Sequence, residues 1–449
     1  MKKQSLGGDG NMKTRMKIGL ASSMAVLLLA TACGGAKKDG AAEGGAQVAE
    51  KPKEPYTMKI LAAGVKAEEF DERFREMLKK KFPHITVEYF AGGKGSTIND
   101  LIASGNTPDL IRTDVPTLVS GYIDLGLGYD LNEFVKKAKY DVNRFNKVFI
   151  DEILDVGRTG ALYGLPVPPY FPQALYYNKD LFDKFGVAYP KNGMTWDELY
   201  DLAKKMTRVD GGTVYRGFSS HPTNLLRDNP YSLPILDPKE DKLADPARWT
   251  VLFNNLKRFY EIPNNTIEST AALDSQAFAK GNVAMMTNQH SVYLVLPPEL
   301  NWDLVSYPIM EGAPKLMPQR GPAYWSITST SKHKEDAFEM IMAMLSDEVQ
   351  MEDSKKGITT TLSNTEIQKA LGKGHPVYGK KNMEAINVYP PIPYTQKRQA
   401  GLTDIPGVTQ QNLLSQSFMD VAQGKTDVNS ALRDLDEKLK AEVAKQKAK

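Results

Sequence analysis

Leu165-Pro-Val-Pro-Pro-Tyr-Phe-Pro-Gln-Ala-Leu-Tyr-Tyr-Asn178 carries four prolines, at 166, 168, 169 and 172. Each fixes its own φ and pushes the residue before it towards an extended conformation. No helix can run through this stretch, and the missing N–H groups disfavour a central strand. The spacing predicts an extended connection carrying Tyr170 and Phe171, followed by a β-rich run over Ala174–Asn178. A long segment of α/β character lies on each side. The stretch therefore reads as a crossover between two lobes with its aromatics facing what binds between them. A rigid surface loop with those aromatics plugged into the core satisfies the same residues.

Outward towards the N-terminus, Tyr56–Ala62 alternates as a strand. Phe70, Phe74, Met77, Leu78 and Phe82 then recur at helical spacing, and Ile85, Val87 and Tyr89 alternate again. Ile98, Leu101 and Ile102 mark a second helix ended near Gly105, and 108–113 gives a third strand. Strands separated by helices of this length imply a parallel sheet. Ligands of open parallel sheets gather beyond the C-terminal strand ends. That directs attention to Lys66 after the first strand and Asp114 after the third, whereas Asp109 sits at the opposite end and reads as structural.

Beyond the crossover, Thr195-Trp-Asp-Glu198 matches a capping box, with Trp196 read as a packing residue. Further helices are expected over Trp249–Tyr260 and Asp274–Lys280, then a strand over 283–286 with Asn288-Gln289-His290 just past it. A second Pro/Gly-rich passage, 308–322, suggests the chain crossing back. Trp325–Thr328 reads as a strand and Lys334–Leu345 as a helix. Terminal helices are expected over about 411–423 and 428–445.

The chain has 449 residues, a formal charge of +3 and one cysteine. Residues 1–32 carry Lys2, Lys3, Lys13, Arg15 and Lys17 against Asp9, so the remainder is close to neutral. A neutral body offers no electrostatic case for nucleic acid. The lone cysteine excludes an internal disulfide and any multi-cysteine zinc site. Cys33 follows a basic region, an apolar run through Met24–Leu29 and the small residues Ala30-Thr31-Ala32, which is the pattern of a secretory signal. Ala30-Thr-Ala-Cys33 resembles the lipobox of bacterial lipoproteins, with Ala30 where leucine is usual. Residues 34–55 are mostly Gly, Ala, Lys and Glu, with no aromatic and only Val48 as a branched apolar residue, too polar to order themselves. After a lipidated cysteine such a segment is a tether.

The five histidines are scattered, with no His-x-x-x-His pair, and there is no Gly-x-Ser-x-Gly elbow. Gly92-Gly-Lys-Gly-Ser96 lacks phosphate-loop spacing. Paired carboxylates for glycoside cleavage leave no local signature.

Several stretches together resemble the sugar-type extracellular solute-binding lipoproteins that feed ABC importers (bacterial solute-binding protein, family 1-like). They are Ala30–Cys33, Gly105–Ile111, Tyr163–Pro166, Leu175–Phe182, Thr195–Leu199, Phe278–Met285 and Ser331–Ala337. The resemblance implies an α/β, two-lobe periplasmic-binding-protein-like clamp of type II, each lobe a sheet flanked by helices and joined by crossing hinge segments. The boundaries expected are a signal peptide over 1–32 and a lipidated tether over 33–55. Lobe 1 would take 56–169 plus 312–370, and lobe 2 would take 170–311 plus 371–449.

In such proteins aromatic rings stack on sugar faces while carboxylates and amides bond hydroxyls. Carried over by position, Lys66 and Asp114 match first-lobe polar contacts, and Tyr170, Phe171 and Gln173 fall in the crossover. The loop that often reads Asn-Gly-x-Trp is here Asn288-Gln289-His290-Ser291, and a C-terminal helix position that can carry a stacking tryptophan is Gln411. Stacking is therefore expected from Tyr324 or Trp325, with the other in the core because neighbours in a strand point to opposite faces.

The resulting expectation is the binding component of an ABC importer, lipid-anchored through Cys33 at the outer face of the cytoplasmic membrane. It would be a monomer that takes a sugar or oligosaccharide and meets the permease transmembrane subunits, with no cofactor, no metal and no catalysis. The rival readings are a secreted polysaccharide-degrading enzyme and the same fold binding a metal or polyamine.

Overall fold

The computed structural model describes residues 54–157 and 160–448. The expected signal segment, Cys33 and nearly all of the tether lie outside the described residues. The strands, in chain order, begin with β1 (Tyr56–Ala62), β2 (Ile85–Phe90), β3 (Leu110–Thr113), β4 (Leu165–Val167), β5 (Phe171–Asn178) and β6 (Arg208–Asp210). They continue with β7 (Thr213–Tyr215), β8 (Ser219–Ser220), β9 (Met285–Gln289), β10 (Trp302–Ser306), β11 (Gln319–Arg320) and β12 (Ala323–Ile327).

The first sheet has the order β2-β1-β3-β12-β4. β1 runs parallel to both β2 and β3, with Tyr56 opposite Ile85 and Ile60 opposite Leu110. The helical connection between β1 and β2 spans Ala67–Lys81, with one wider turn at Asp71–Arg75, and buries Phe70, Phe74 and Leu78. That is the apolar stripe its spacing predicts. Thr97 and Asp100 close a capping box at the start of the helix Ile98–Ala103. Asp109 locks the far end of the sheet, its Oδ2 accepting from Lys59 N–H at 2.9 Å and its Oδ1 from the Ser331 hydroxyl at 2.7 Å. β12 then inserts antiparallel between β3 and β4. β4 is an edge, where Pro166 forfeits no ladder bond to a further strand.

From β4 the chain passes through Pro168–Tyr170 into β5, which starts at Phe171, three residues earlier than expected. β5 is the backbone of the second sheet, order β10-β5-β9-β8, and is antiparallel to β10 and β9. Its side chains alternate between two cores. Leu175 and Tyr177 join one cluster with Phe182, Trp196 and Phe259, while Ala174 and Tyr176 join another with Phe278 and Trp302. Tyr176 and Tyr177 thus point to opposite faces and cannot converge on one ion. β11 pairs with the first residues of β5, Gln319 opposite Pro172 and Arg320 opposite Phe171. The return to the first sheet therefore runs through Gly321-Pro322. A third passage, Pro390–Pro393, lies beside these two, with Met317 bridged to Pro391. Three proline-rich segments meet between the sheets.

Candidate functional site: a polar cleft between the two sheets

Asp114 follows β3 and caps the short helix Val115–Leu118, its Oδ1 accepting from Thr117 N–H at 3.2 Å. Its Oδ2 accepts from Arg320 Nη2 at 2.9 Å. Arg320 belongs to β11 and so to the second sheet, which makes this ion pair a bridge across the cleft.

Arg227 ends the helix Pro222–Arg227. Its guanidinium forms a fork on Asp228, with Nε–Oδ1 at 2.6 Å and Nη2–Oδ2 at 2.7 Å. Asp228 Oδ2 also accepts from Gln173 Nε2 at 3.1 Å and Gln289 Nε2 at 3.0 Å. Arg227 Nη1 reaches Gln411 Oε1 at 3.4 Å, tying this cluster to the helix Gly407–Ala422.

On the first-sheet side Glu152, from the helix Lys147–Gly157, accepts from the Tyr324 hydroxyl at 3.0 Å. Burial pushes its carboxyl up to about 7, with Lys397 opposing the shift. The return crossing passes tightly over it: a Cβ on Gly321 would lie 2.7 Å from Glu152 Oε2, so a larger residue there would displace that carboxylate. The third crossing supplies Tyr394–Arg398. Lys397 Nζ donates to the Glu152 carbonyl at 3.3 Å, and Arg398 Nη1 to the carbonyls of Asp237 and Glu240 at 2.8 Å each. Burial, followed by Asp155, pushes the Tyr394 hydroxyl up to about 12. These groups line a cavity of about 320 Å³, the low end of the range for ligand sites.

Of the residues singled out in the sequence, Asp114 and Gln411 line this cavity. Gln173 and Gln289 stand one layer behind, holding Asp228. Phe171 is half-buried opposite Arg320. Tyr170 is buried against Phe149 and Met317, which realises the plugged-aromatic alternative. Asn288 and Gln289 do not form a loop after the strand, because β9 continues through Gln289. Asn288 is buried, donating to Ser275 Oγ at 2.7 Å and accepting from Asn224 Nδ2 at 3.2 Å. His290 is buried beside Tyr293, and burial lowers its imidazole to about 3, so it stays neutral. Lys66 is exposed before the first helix and does not line the cavity.

Tyr324 and Trp325 correct a sequence expectation. They are 0% and 1% exposed. β12 is an interior strand covered on both faces, so neither neighbour reaches a ligand. Tyr394 is the aromatic at the cavity wall instead. Arg227, Asp228, Glu152, Arg320 and the 394–398 strip were not anticipated. The one local signal for the strip was the third proline run, Pro390-Pro391-Ile392-Pro393.

The family model for the bacterial extracellular solute-binding protein matches residues 58–351, well over half of the chain. The chain belongs to that family. Solved structures agree on the two-lobe periplasmic-binding-protein fold. A sugar transporter of Rhizobium etli in an open conformation superposes with a TM-score of 0.67 at 20% identity, covering 86% of this chain and 99% of that one. An ABC substrate-binding protein of Listeria monocytogenes in complex with cycloalternan gives 0.66 at 20% identity, over 86% and 98%. The sugar-binding protein MalE of Xanthomonas citri gives 0.67 at 18% identity, over 87% and 98%. A putative binding protein of Brucella abortus is 27% identical over 158 residues, 34% of this chain and 36% of the relative. The chain thus spans about a third of the length of the curated relatives it matches. Among the described residues no helix is long and apolar enough to cross a membrane. No group of three or more His, Cys, Asp or Glu is placed among them to hold a metal ion.

Proposed function

We propose that this solute-binding protein captures an oligosaccharide in the cleft between its two sheets and delivers it to the permease of an ABC importer. Residues 1–32 act as a secretion signal and Cys33 carries the lipid that anchors the body outside the membrane. The observation carrying the reading is the cleft itself: a polar, ion-paired cavity where three crossing segments meet, in a member of a solute-binding family. Structural neighbours described with cycloalternan or mannotriose bound support the choice of a sugar. Asp114, Arg320, Arg227 and Gln411 supply hydrogen bonds, and the Tyr394 ring supplies an apolar face.

The test is calorimetry of the purified chain against a panel of neutral and charged oligosaccharides. Saturable binding of at least one, with the glycan recovered intact after hours, is expected. No binding across the panel would sink the reading, and turnover would replace it with a degrading enzyme. Anchoring is tested separately: Cys33→Ser should release the protein from membranes, and a variant that still carries lipid would overturn that role.

A further inference from the structure

We propose that a phosphoryl group binds at the C-terminal ends of β1 and β3, where Arg112 receives it and Lys66 stands on the adjoining turn. Neither residue lines the sugar cavity described above. The site goes beyond the sugar-binding reading and does not depend on it.

Arg112 is a charged side chain on an interior strand, opposite Ala62 of β1 and Trp325 of β12. It is 9% exposed. Its Nε is shut off from solvent without a hydrogen-bond partner. Its one hydrogen bond among the described residues runs from Nη1 to the Ala63 carbonyl, at a long 3.5 Å. The carboxylates that act on it through space, Glu69 and Asp114, are bonded to other arginines. Glu69 accepts from Arg73 Nη1 at 3.3 Å, and Asp114 from Arg320 Nη2 at 2.9 Å. Arg73 itself is forked on Asp353, at 3.1 and 2.8 Å. Burial first, then the Arg73 cation, lowers the Arg112 guanidinium to about 10, so it is still charged at neutral pH.

Buried charges are paired, because an isolated one forfeits its hydration without recompense. A neutral hydroxyl accepts a hydrogen bond from this guanidinium but supplies no charge. An anion from outside the fold supplies both.

The surroundings indicate which anion. Ala63 and Gly64 are exposed, and a Cβ on Gly64 would meet nothing within 4 Å, so the turn that Arg112 touches opens to solvent. The loop after β2 packs on the same turn, since a Cβ on Gly92 would lie 3.3 Å from Ala63 Cα. These two loops, 63–66 and 91–96, carry Lys66 and Lys94 and no acidic residue. Both lysines are exposed. A carboxylate brings a single charge to this group of cations. A phosphate monoester brings about −1.5 to −2 at pH 7 and three strong acceptor oxygens. Open parallel sheets collect ligands at this end of their strands.

Calorimetry and thermal melts at constant ionic strength test this with inorganic phosphate, glucose 6-phosphate, acetate and chloride. At least one of the two phosphates should bind saturably, and acetate and chloride roughly tenfold more weakly or not at all. Tighter binding of glucose 6-phosphate identifies a phosphorylated sugar as the source of the group, and tighter binding of inorganic phosphate identifies the free ion. Arg112→Met should weaken phosphate binding roughly ten- to a hundredfold. The exposed Lys66→Ala should weaken it about two- to fivefold. Freed of an uncompensated buried charge, Arg112→Met without phosphate should melt no lower than wild type. A melting temperature well below wild type would make Arg112 a structural residue and overturn the inference. So would an absence of saturable phosphate binding, an equal response to acetate or chloride, or phosphate binding unchanged in Arg112→Met. Each of these leaves the sugar reading intact, because neutral oligosaccharides decide that one.

Discussion

Trp325 and Glu152 show how burial alone settles a residue's role. Trp325 sits in β12 with its ring enclosed in the core of the first sheet. Trp325→Ala should lower stability by about 3–5 kcal/mol, the usual cost of emptying a buried aromatic site. Binding by the folded fraction should be normal. Thermal melts paired with calorimetry check this, and an unchanged melting temperature with weakened binding would return the ring to the ligand. Glu152 lies at the cavity wall with its pKa raised from an ordinary 4.5 to about 7. The native state therefore holds this proton through a range where the unfolded chain has released it. The stabilising contribution is complete below about pH 4.5 and is lost as pH rises through about 7. Glu152→Gln removes that dependence, so it should raise stability relative to wild type at pH 8 and change it little at pH 5. Melts across pH 5–8 that stay parallel for the two proteins would show that the carboxyl titrates normally.

At the scale of elements, the second lobe depends on a polar lock at the short edge strand β8. Asp274, in the helix Ala271–Ala277, is fully buried. It accepts from Arg216 Nη2 at 2.7 Å, Ser220 N–H at 2.9 Å, the Tyr260 hydroxyl at 2.7 Å and Glu268 N–H at 3.2 Å. One carboxylate thus joins β8, two helices and a loop. Removing one partner of a buried pair leaves the other charge uncompensated, at a cost of about 3–5 kcal/mol. Asp274→Ala should therefore move the chemical-denaturation midpoint strongly. A loss below about 1 kcal/mol, the scale of an exposed pair, would show that the lock contributes little. The capping box at Thr195 is legible from sequence because capping is a local matter of i to i+3 bonding.

At the scale of the whole molecule, the two sheets are linked by Pro168–Tyr170, by Gly321-Pro322 and by the run ending at Pro393. A ligand touching both Asp114 on the first sheet and Arg227 on the second favours the arrangement that brings them together. It can shift that equilibrium only by its differential affinity for the two arrangements. Small-angle scattering should show compaction when the bound sugar saturates the protein. An unchanged radius at demonstrated saturation would mean that the lobes do not close.

The sequence by itself determined the elements whose causes are local. The 2-residue alternation of β1 and β2, the helical stripe from Phe70 to Leu78, the capping box at Thr195 and the two proline-rich crossings were all readable there. Family membership was also legible, because it is spread over many short ordered motifs. The tertiary structure alone decided which polar groups converge. Asp114 and Gln411 were picked out from position, but Glu152, the adjacent pair Arg227-Asp228 and Arg320 come from three separate stretches that only the fold brings together. It also decided that Trp325 and His290 are core residues. Alternation in a strand says which side chains share a face, while exposure depends on whether another strand or helix covers that face. β12 lies between β3 and β4, both more than a hundred residues earlier in the chain, and β9 lies between β5 and β8, and no local pattern carries that information.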